Sequence, residues 1–264
     1  MRTGRDELDG ERPVLGVALS SGAARGAAHV GVIRALAEAG LEPDVVVGTS
    51  AGALIGGAWA SGMSPELIAE RVLSATWSDF GRPRPTRALA LIETTALRAN
   101  LDRVFRHRRI EDLPRRFGAV ATDLGRRRPV LLDRGDAARA VQASIAVPGV
   151  FPPVRGQAGL LVDGVLTSPL PVWAACALGA TRTIGVRLKP EATRPGPAEF
   201  ARRRMVRPVR AVQPDLEIVV DTSGCASWST RDVPRLVELG YRAARDAIDA
   251  DVVQRLAGGI RAAC

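Results

Sequence analysis

The sequence predicts an α/β fold in which a mostly parallel central sheet is covered by helices on both faces. Three observations lead there. Short all-apolar runs, as parallel strands buried on both faces require, alternate with longer helix-compatible stretches. Two of those runs, 14–19 and 45–47, pass directly into small-residue loops that open a helix, where open α/β sheets carry their sites. At 264 residues and 46 % hydrophobic, the chain can bury one large core, and single α/β domains reach this size.

In chain order, strands are expected at 14–19, 44–47, 117–122, 129–132, 160–162, 183–188 and 217–220. Helices are expected at 26–39, 51–61, 65–75, 137–144, 171–178 and 233–255. The first strand is apolar on both faces. The helix after it places Ile33, Leu36 and Ala37 on one side and ends at Gly40, a natural C-cap. Val45-Val46-Val47 marks the second strand, and the small residues 51–60 suit a helix. Ser64-Pro65-Glu66 starts the third helix, with Ser as N-cap and Pro at N1. Residues 80–112, with Pro83, Pro85 and many arginines, read as a mobile flap. Leu160-Leu161-Val162 forms a strand that ends in Asp163-Gly164. Residues 189–215 read as a surface excursion. One domain is thus expected over 13–255, with a flexible segment at 1–12 and a tail at 256–264.

The charge is +9, and all but one of the 37 Lys and Arg residues are arginine. Clusters lie at Arg106-His107-Arg108-Arg109, Arg126-Arg127-Arg128 and Arg202-Arg203-Arg204. A basic surface suits anionic phospholipid headgroups or nucleic acid, whereas base composition alone would also enrich arginine. One Tyr, 4 % aromatic residues and no recognition motif argue against nucleic acid. Residues 1–7 have no apolar core of a signal peptide, and no run approaches the length of a membrane span. The expectation is a cytoplasmic protein with peripheral contact to anionic membranes; oligomeric state is not legible. Cys176, Cys225 and Cys264 are odd in number and lack metal spacing, so neither disulfides nor zinc are indicated, and no cofactor is called for. Cys225, in a Ser/Gly-rich loop, reads as a structural or incidental thiol, with an exposed thiol as the alternative.

Gly48-Thr49-Ser50-Ala51-Gly52 sits between a strand and a helix, the context in which G-x-S-x-G forms a nucleophile elbow. Side chains at Gly48 and Gly52 would crowd that sharp turn. The alternative is a Gly-rich loop with an inert serine. The two histidines, His29 and His107, precede any position where a Ser-acid-His triad would place its base. A carboxylate is the natural substitute. Ser20-Ser21-Gly22-Ala23-Ala24-Arg25-Gly26, opening the first helix, presents free N–H groups and a positive dipole end to an anion. Phosphate and a tetrahedral oxyanion both qualify, and Ser50 favours the oxyanion. Neither G-x-G-x-x-G nor a P-loop occurs. Asp163 places a carboxylate at a strand end, or simply forms an Asp-Gly turn.

Together these segments, with Ala121-Thr122-Asp123-Leu124 and residues 143–153 (ASIAVPGVFPP), resemble the patatin-like phospholipase family, compact bacterial branch, from Val14 to about Ala244. The resemblance implies a single patatin-like three-layer domain. It further implies lipid ester hydrolysis through a Ser-Asp dyad, with Ser50 as nucleophile and Asp163 as base. Amides around Gly22 and Ala23 would form the oxyanion hole, with Arg25 bracing the loop, and a histidine at position 29 would have no catalytic part. Three departures stand out. Ala23 replaces a glycine and would be strained at positive φ. Val165 follows Asp163-Gly164 where Gly or Ala is usual, and the 189–215 excursion is short. Acyl transfer, or a catalytically weak lipid- or partner-binding protein, are the alternatives.

Overall fold

The computed structural model describes residues 12–83, 92–157, 159–189 and 211–258. Its centre is an eight-stranded sheet. Five strands run parallel in the order β10 (Leu216–Asp221), β9 (Arg182–Lys189), β1 (Leu15–Leu19), β2 (Val45–Thr49) and β5 (Arg116–Asp123). Three antiparallel strands complete it: β6 (Arg128–Leu132) and β8 (Leu160–Asp163) pair with β5, and β7 (Val154–Arg155) pairs with β8. β3 (Arg82–Pro83) and β4 (Ile92–Glu93) form a separate short pair.

Alternating side chains of the central strands enter two cores. Leu15, Val17, Leu19 and Val46 join α1 (Ala28–Glu38), α2 (Ala51–Ala60) and the helices beyond them. Ala18, Val45 and Val47 face α6 (Val172–Ala177) on the other side. Helices therefore cover both faces, as the all-apolar strands require. α1 is preceded by a 3-10 turn, Ala23–Ala27, and stops where Gly40 takes φ +71° and Leu41 N–H returns to Leu36 O, a Schellman ending. α3 (Pro65–Ser74) is capped by Ser64, whose Oγ accepts from Leu67 N–H, and α5 (Ala137–Ser144) by Asp136, which accepts from Arg139 N–H.

Several expectations change. The stretch 80–112 is no free flap in its second half: α4 (Thr95–Phe105) buries Leu97, Leu101 and Phe105 at helical spacing in the main core. Residues 84–91 of that stretch, 1–11, most of the 189–215 excursion and 259–264 lie outside the described residues. The single helix expected over 233–255 is two, α7 (Val233–Ala247) and α8 (Ala250–Ala257), because Asp249 caps a new helix by accepting from Val252 N–H. Cys225 is buried and free. Cys176 is disulfide-bonded, against the expectation of no disulfide; an odd count does not forbid one pair. Among the described residues no helix is long and apolar enough to cross a membrane.

Candidate active site

Register brings the two candidate reacting groups together. β2 pairs with β5 up to Thr49 opposite Val120, and β8 runs the other way along the same edge of β5, ending with Asp163 opposite Ala121. Both strands share that edge because β6 occupies the other one at Ala119–Asp123. The residue that follows β2 and the last residue of β8 therefore abut. Ser50 Oγ donates to Asp163 Oδ2 at 2.7 Å, across 113 residues of sequence.

Ser50 takes φ +56° and ψ −121°, a conformation that L residues hold only where the surroundings impose it. Here the imposition is steric and hydrogen-bonded. A Cβ at Gly48 would lie 2.3 Å from Gly52 C, and one at Gly52 would lie 2.2 Å from Leu19 O, so strand, turn and helix close up only with glycine at both places. Ser50 N–H donates to Ser144 Oγ at 2.8 Å, and Ser144 Oγ–H donates to Val120 O at 2.7 Å.

Asp163 is fully buried. Its Oδ1 accepts from Val165 N–H at 2.7 Å, its own N–H donates to Ala146 O at 2.9 Å, and its carbonyl accepts from Thr122 Oγ1 at 2.9 Å. The Val165 bond uses backbone alone, so a β-branched residue there leaves the carboxylate held. Burial pushes the Asp163 carboxyl up to about 7, against the lowering effect of the Ser50 and Val165 hydrogen bonds.

The 3-10 turn before α1 forms the second half of the site. Ser20 and Ser21 N–H donate to Val186 O and Pro169 O, Ala24 N–H to Ser227 O, and Arg25 N–H to Gly22 O. Among the described residues the N–H groups of Gly22 and Ala23 have no partner. Ala23 sits at φ +50°, the strained position anticipated for a non-glycine. Arg25 is half-buried, its Nε has no hydrogen-bond partner, and burial lowers its pKa. Its tie to the loop is thus a backbone one. His29 is fully buried; Nε2–H donates to Ser20 O at 2.8 Å, and burial lowers the imidazole to about 4, so it is neutral near pH 7. It packs behind the loop, while His107 is exposed at the end of α4.

A cavity of about 400 Å³ opens onto Ser50 and Ala23 and is walled largely by apolar side chains of α2, α3 and α4, among them Leu54, Ile55, Ile68, Val72 and Val104. Among the described residues no three His, Cys, Asp or Glu side chains cluster to hold a metal ion.

Sequence reasoning missed Ser144. It lies in a stretch that carried the family resemblance, but no role was assigned to it, because a small hydroxyl at the end of an alanine-rich helix has no distinctive local pattern. In space that stretch serves both partners, Ser144 holding the Ser50 amide and Ala146 O holding the Asp163 amide.

The family model for patatin-like phospholipases matches residues 17–176, more than half of the chain and a span containing every candidate residue above. The chain belongs to the patatin-like phospholipase family. An uncharacterized NTE family protein of Mycobacterium tuberculosis is 37 % identical over 210 residues, 76 % of this chain and 58 % of that protein. Patatin-like phospholipase domain-containing protein 7 of Rattus norvegicus is 30 % identical over 181 residues, 65 % of this chain and 13 % of that one. This patatin-like chain thus spans well under two thirds of these relatives' lengths. The crystal structure of VipD from Legionella pneumophila shares the fold, with a TM-score of 0.56 at 16 % identity over 92 % of this chain and 66 % of that chain.

Proposed function

We propose that this patatin-like protein is a serine lipid acyl hydrolase of the phospholipase A or esterase type, acting through Ser50 and Asp163. The 2.7 Å contact between Ser50 Oγ and the buried Asp163 carboxylate carries the reading. Ser50 Oγ attacks the ester carbonyl carbon while its proton passes to Asp163 Oδ2. The free N–H groups of Gly22 and Ala23 hold the oxyanion. Collapse breaks the bond to the alcohol, which leaves with the proton from Asp163, and Ser50 retains the acyl group. Water then attacks the acyl-enzyme, gives its proton to Asp163 and releases the acid; the proton returns to Ser50.

A carboxyl titrating near 7 is well matched to taking and returning a proton at neutral pH. The apolar cavity beside Ser50 accommodates the acyl chain. No cofactor or metal enters this scheme. We assign the protein to the cytoplasm, peripheral at anionic membrane surfaces, in keeping with its +9 charge.

One observation favours a second reading. Ala23 at φ +50° strains the loop that would hold the oxyanion, which suits a slow enzyme or a lipid-binding protein without turnover. Fluorophosphonate labelling separates them: the hydrolase is labelled at Ser50 and the Ser50→Ala variant is not. An unlabelled wild-type protein overturns the hydrolase reading. Product analysis distinguishes transfer to water from transfer to another alcohol.

A further inference from the structure

At the exposed rim of the cavity two tryptophans stack, Trp77 from the 3-10 turn after α3 and Trp228 from the loop before α7. Their centroids lie 5.8 Å apart with planes at 28°, and Phe80 packs against Trp77 at 5.8 Å. They are 37 % and 49 % exposed, although indoles in a chain with a large core ordinarily go inside, as Trp59 does here at 1 %. Arg71 and Arg103 line the same rim and are exposed. Among the described residues the Arg71 guanidinium has no hydrogen-bond partner, while that of Arg103 donates to the Asn100 side chain and is attracted to the Asp79 carboxylate, whose pKa it helps to lower. Asp79, the single carboxylate among the described lining residues, accepts from Thr76 N–H and Oγ1–H in its own turn and from Asn100 Nδ2–H on α4.

We propose that this rim docks the protein on an anionic lipid surface, with the stacked indoles at headgroup depth and Arg71 and Arg103 on lipid phosphates. Amphipathic rings that are apolar in body and polar at one edge settle at that depth, and exposed guanidinium groups match the phosphates in charge and geometry. Continuity with the cavity selects a lipid surface over a protein partner, because an acyl chain lifted from a leaflet seated here enters the cavity without crossing water. The rim is also fixed relative to the reaction centre: Ser227 O, next to Trp228, accepts from Ala24 N–H, next to Ala23. The inference names where the hydrolase proposed above meets its substrate, and it rests on that reading for the substrate class.

The test uses Ser50→Ala protein, so that binding is read without turnover and stands apart from any failure of the hydrolase reading. Sedimentation with vesicles of equimolar phosphatidylcholine and phosphatidylglycerol should show binding that falls on the order of 10²-fold when Trp77 and Trp228 both become Ala. Arg71→Ala with Arg103→Ala should cost about 10-fold and remove the dependence on phosphatidylglycerol and on salt. A charge-matched control, Arg12→Ala with Arg116→Ala, removes two arginines near Asp44 and the start of β5, at the end of the parallel strands opposite to Ser50, and should change binding by less than about 2-fold. Tryptophan emission of the protein with its indoles intact should be quenched by lipids brominated on their acyl chains, whatever the folding of the variants. Unquenched emission, unchanged binding of the folded double-tryptophan variant, or an equal loss in the control pair would each overturn the proposal.

Discussion

Replacing Asp163 with Asn should make the protein more stable and inactive at once, in a way that depends on pH. The carboxyl titrates near 7 in the fold against 3.8 when solvated, because burial disfavours its charged form. The folded state therefore holds this proton more tightly than the unfolded chain does. The stability it contributes is fully present below about pH 4 and is lost as pH rises through about 7. Ionising it in place costs about 4 kcal/mol, at 1.36 kcal/mol per pH unit. Asn has the same shape and no charge to bury. Its Oδ1 can keep the Val165 N–H bond, and its amide can donate to Ser50 Oγ, so no buried group is orphaned. The variant should gain about 2–4 kcal/mol over wild type near pH 8.5, roughly 5–10 °C in Tm, about 1–2 kcal/mol near pH 5, and almost nothing below about pH 3.5. Because both proteins share every other titrating group, the difference isolates this one. Activity should fall on the order of 10⁴-fold, since the hydroxyl then faces a donor and has no proton acceptor. Paired thermal unfolding across pH, with ester hydrolysis on the same samples, reads both quantities. A stability difference that ignores pH refutes the account of burial, and a folded Asp163→Asn variant with near-normal turnover refutes the dyad.

In wild type, kcat/KM should fall as pH drops through about 7, since only the ionised carboxylate accepts a proton, and a pH–rate profile checks this. Ser144→Ala removes the acceptor of Ser50 N–H and the donor to Val120 O, and should cost about 1–3 kcal/mol in urea unfolding together with about 10-fold or more in kcat. Ala23→Val should lose on the order of 10²-fold in kcat, because a β-branched residue at φ +50° drives the turn out of shape, while Ala23→Gly should retain activity; kinetics on both variants decide. His29→Ala should cost about 2–4 kcal/mol of stability but leave fluorophosphonate labelling of Ser50 intact; a folded variant that is not labelled would make His29 part of the chemistry.

The middle of the sheet was legible because β1 and β2 are apolar on both faces and too short for a buried helix. The expected 44–47, 117–122, 160–162 and 183–188 each fall within two residues of β2, β5, β8 and β9. Helix starts with a capping serine were legible too: Ser64 leaves one local solution. α4 was hidden because Leu97, Leu101 and Phe105, though helically spaced, are embedded among arginines and prolines that read as loop. The break at Asp249 was readable in principle from an N-cap residue, but an amphipathic period running through it masked the stop. At the site, the Ser50 turn was legible because its glycines are needed locally. Ser144, the partnerless Gly22 and Ala23 amides and the direction of β8 were not, since each depends on pairings between segments distant in sequence.

The head-on meeting of β2 and β8 along one edge of β5 has a consequence in time as well as in space. A chain made from its N-terminus carries the complete elbow at residues 48–52 long before residue 163 exists. Until β8 has docked in register, Ser50 is an ordinary alcohol, because a slip of two residues in that pairing would carry the carboxylate about 7 Å away while keeping every side chain on its proper face. Under the proposed chemistry, reactivity toward lipid is therefore withheld from nascent and misregistered chains by the pairing itself. Hydrolysis becomes a readout that β8 has paired with β5 in the correct register.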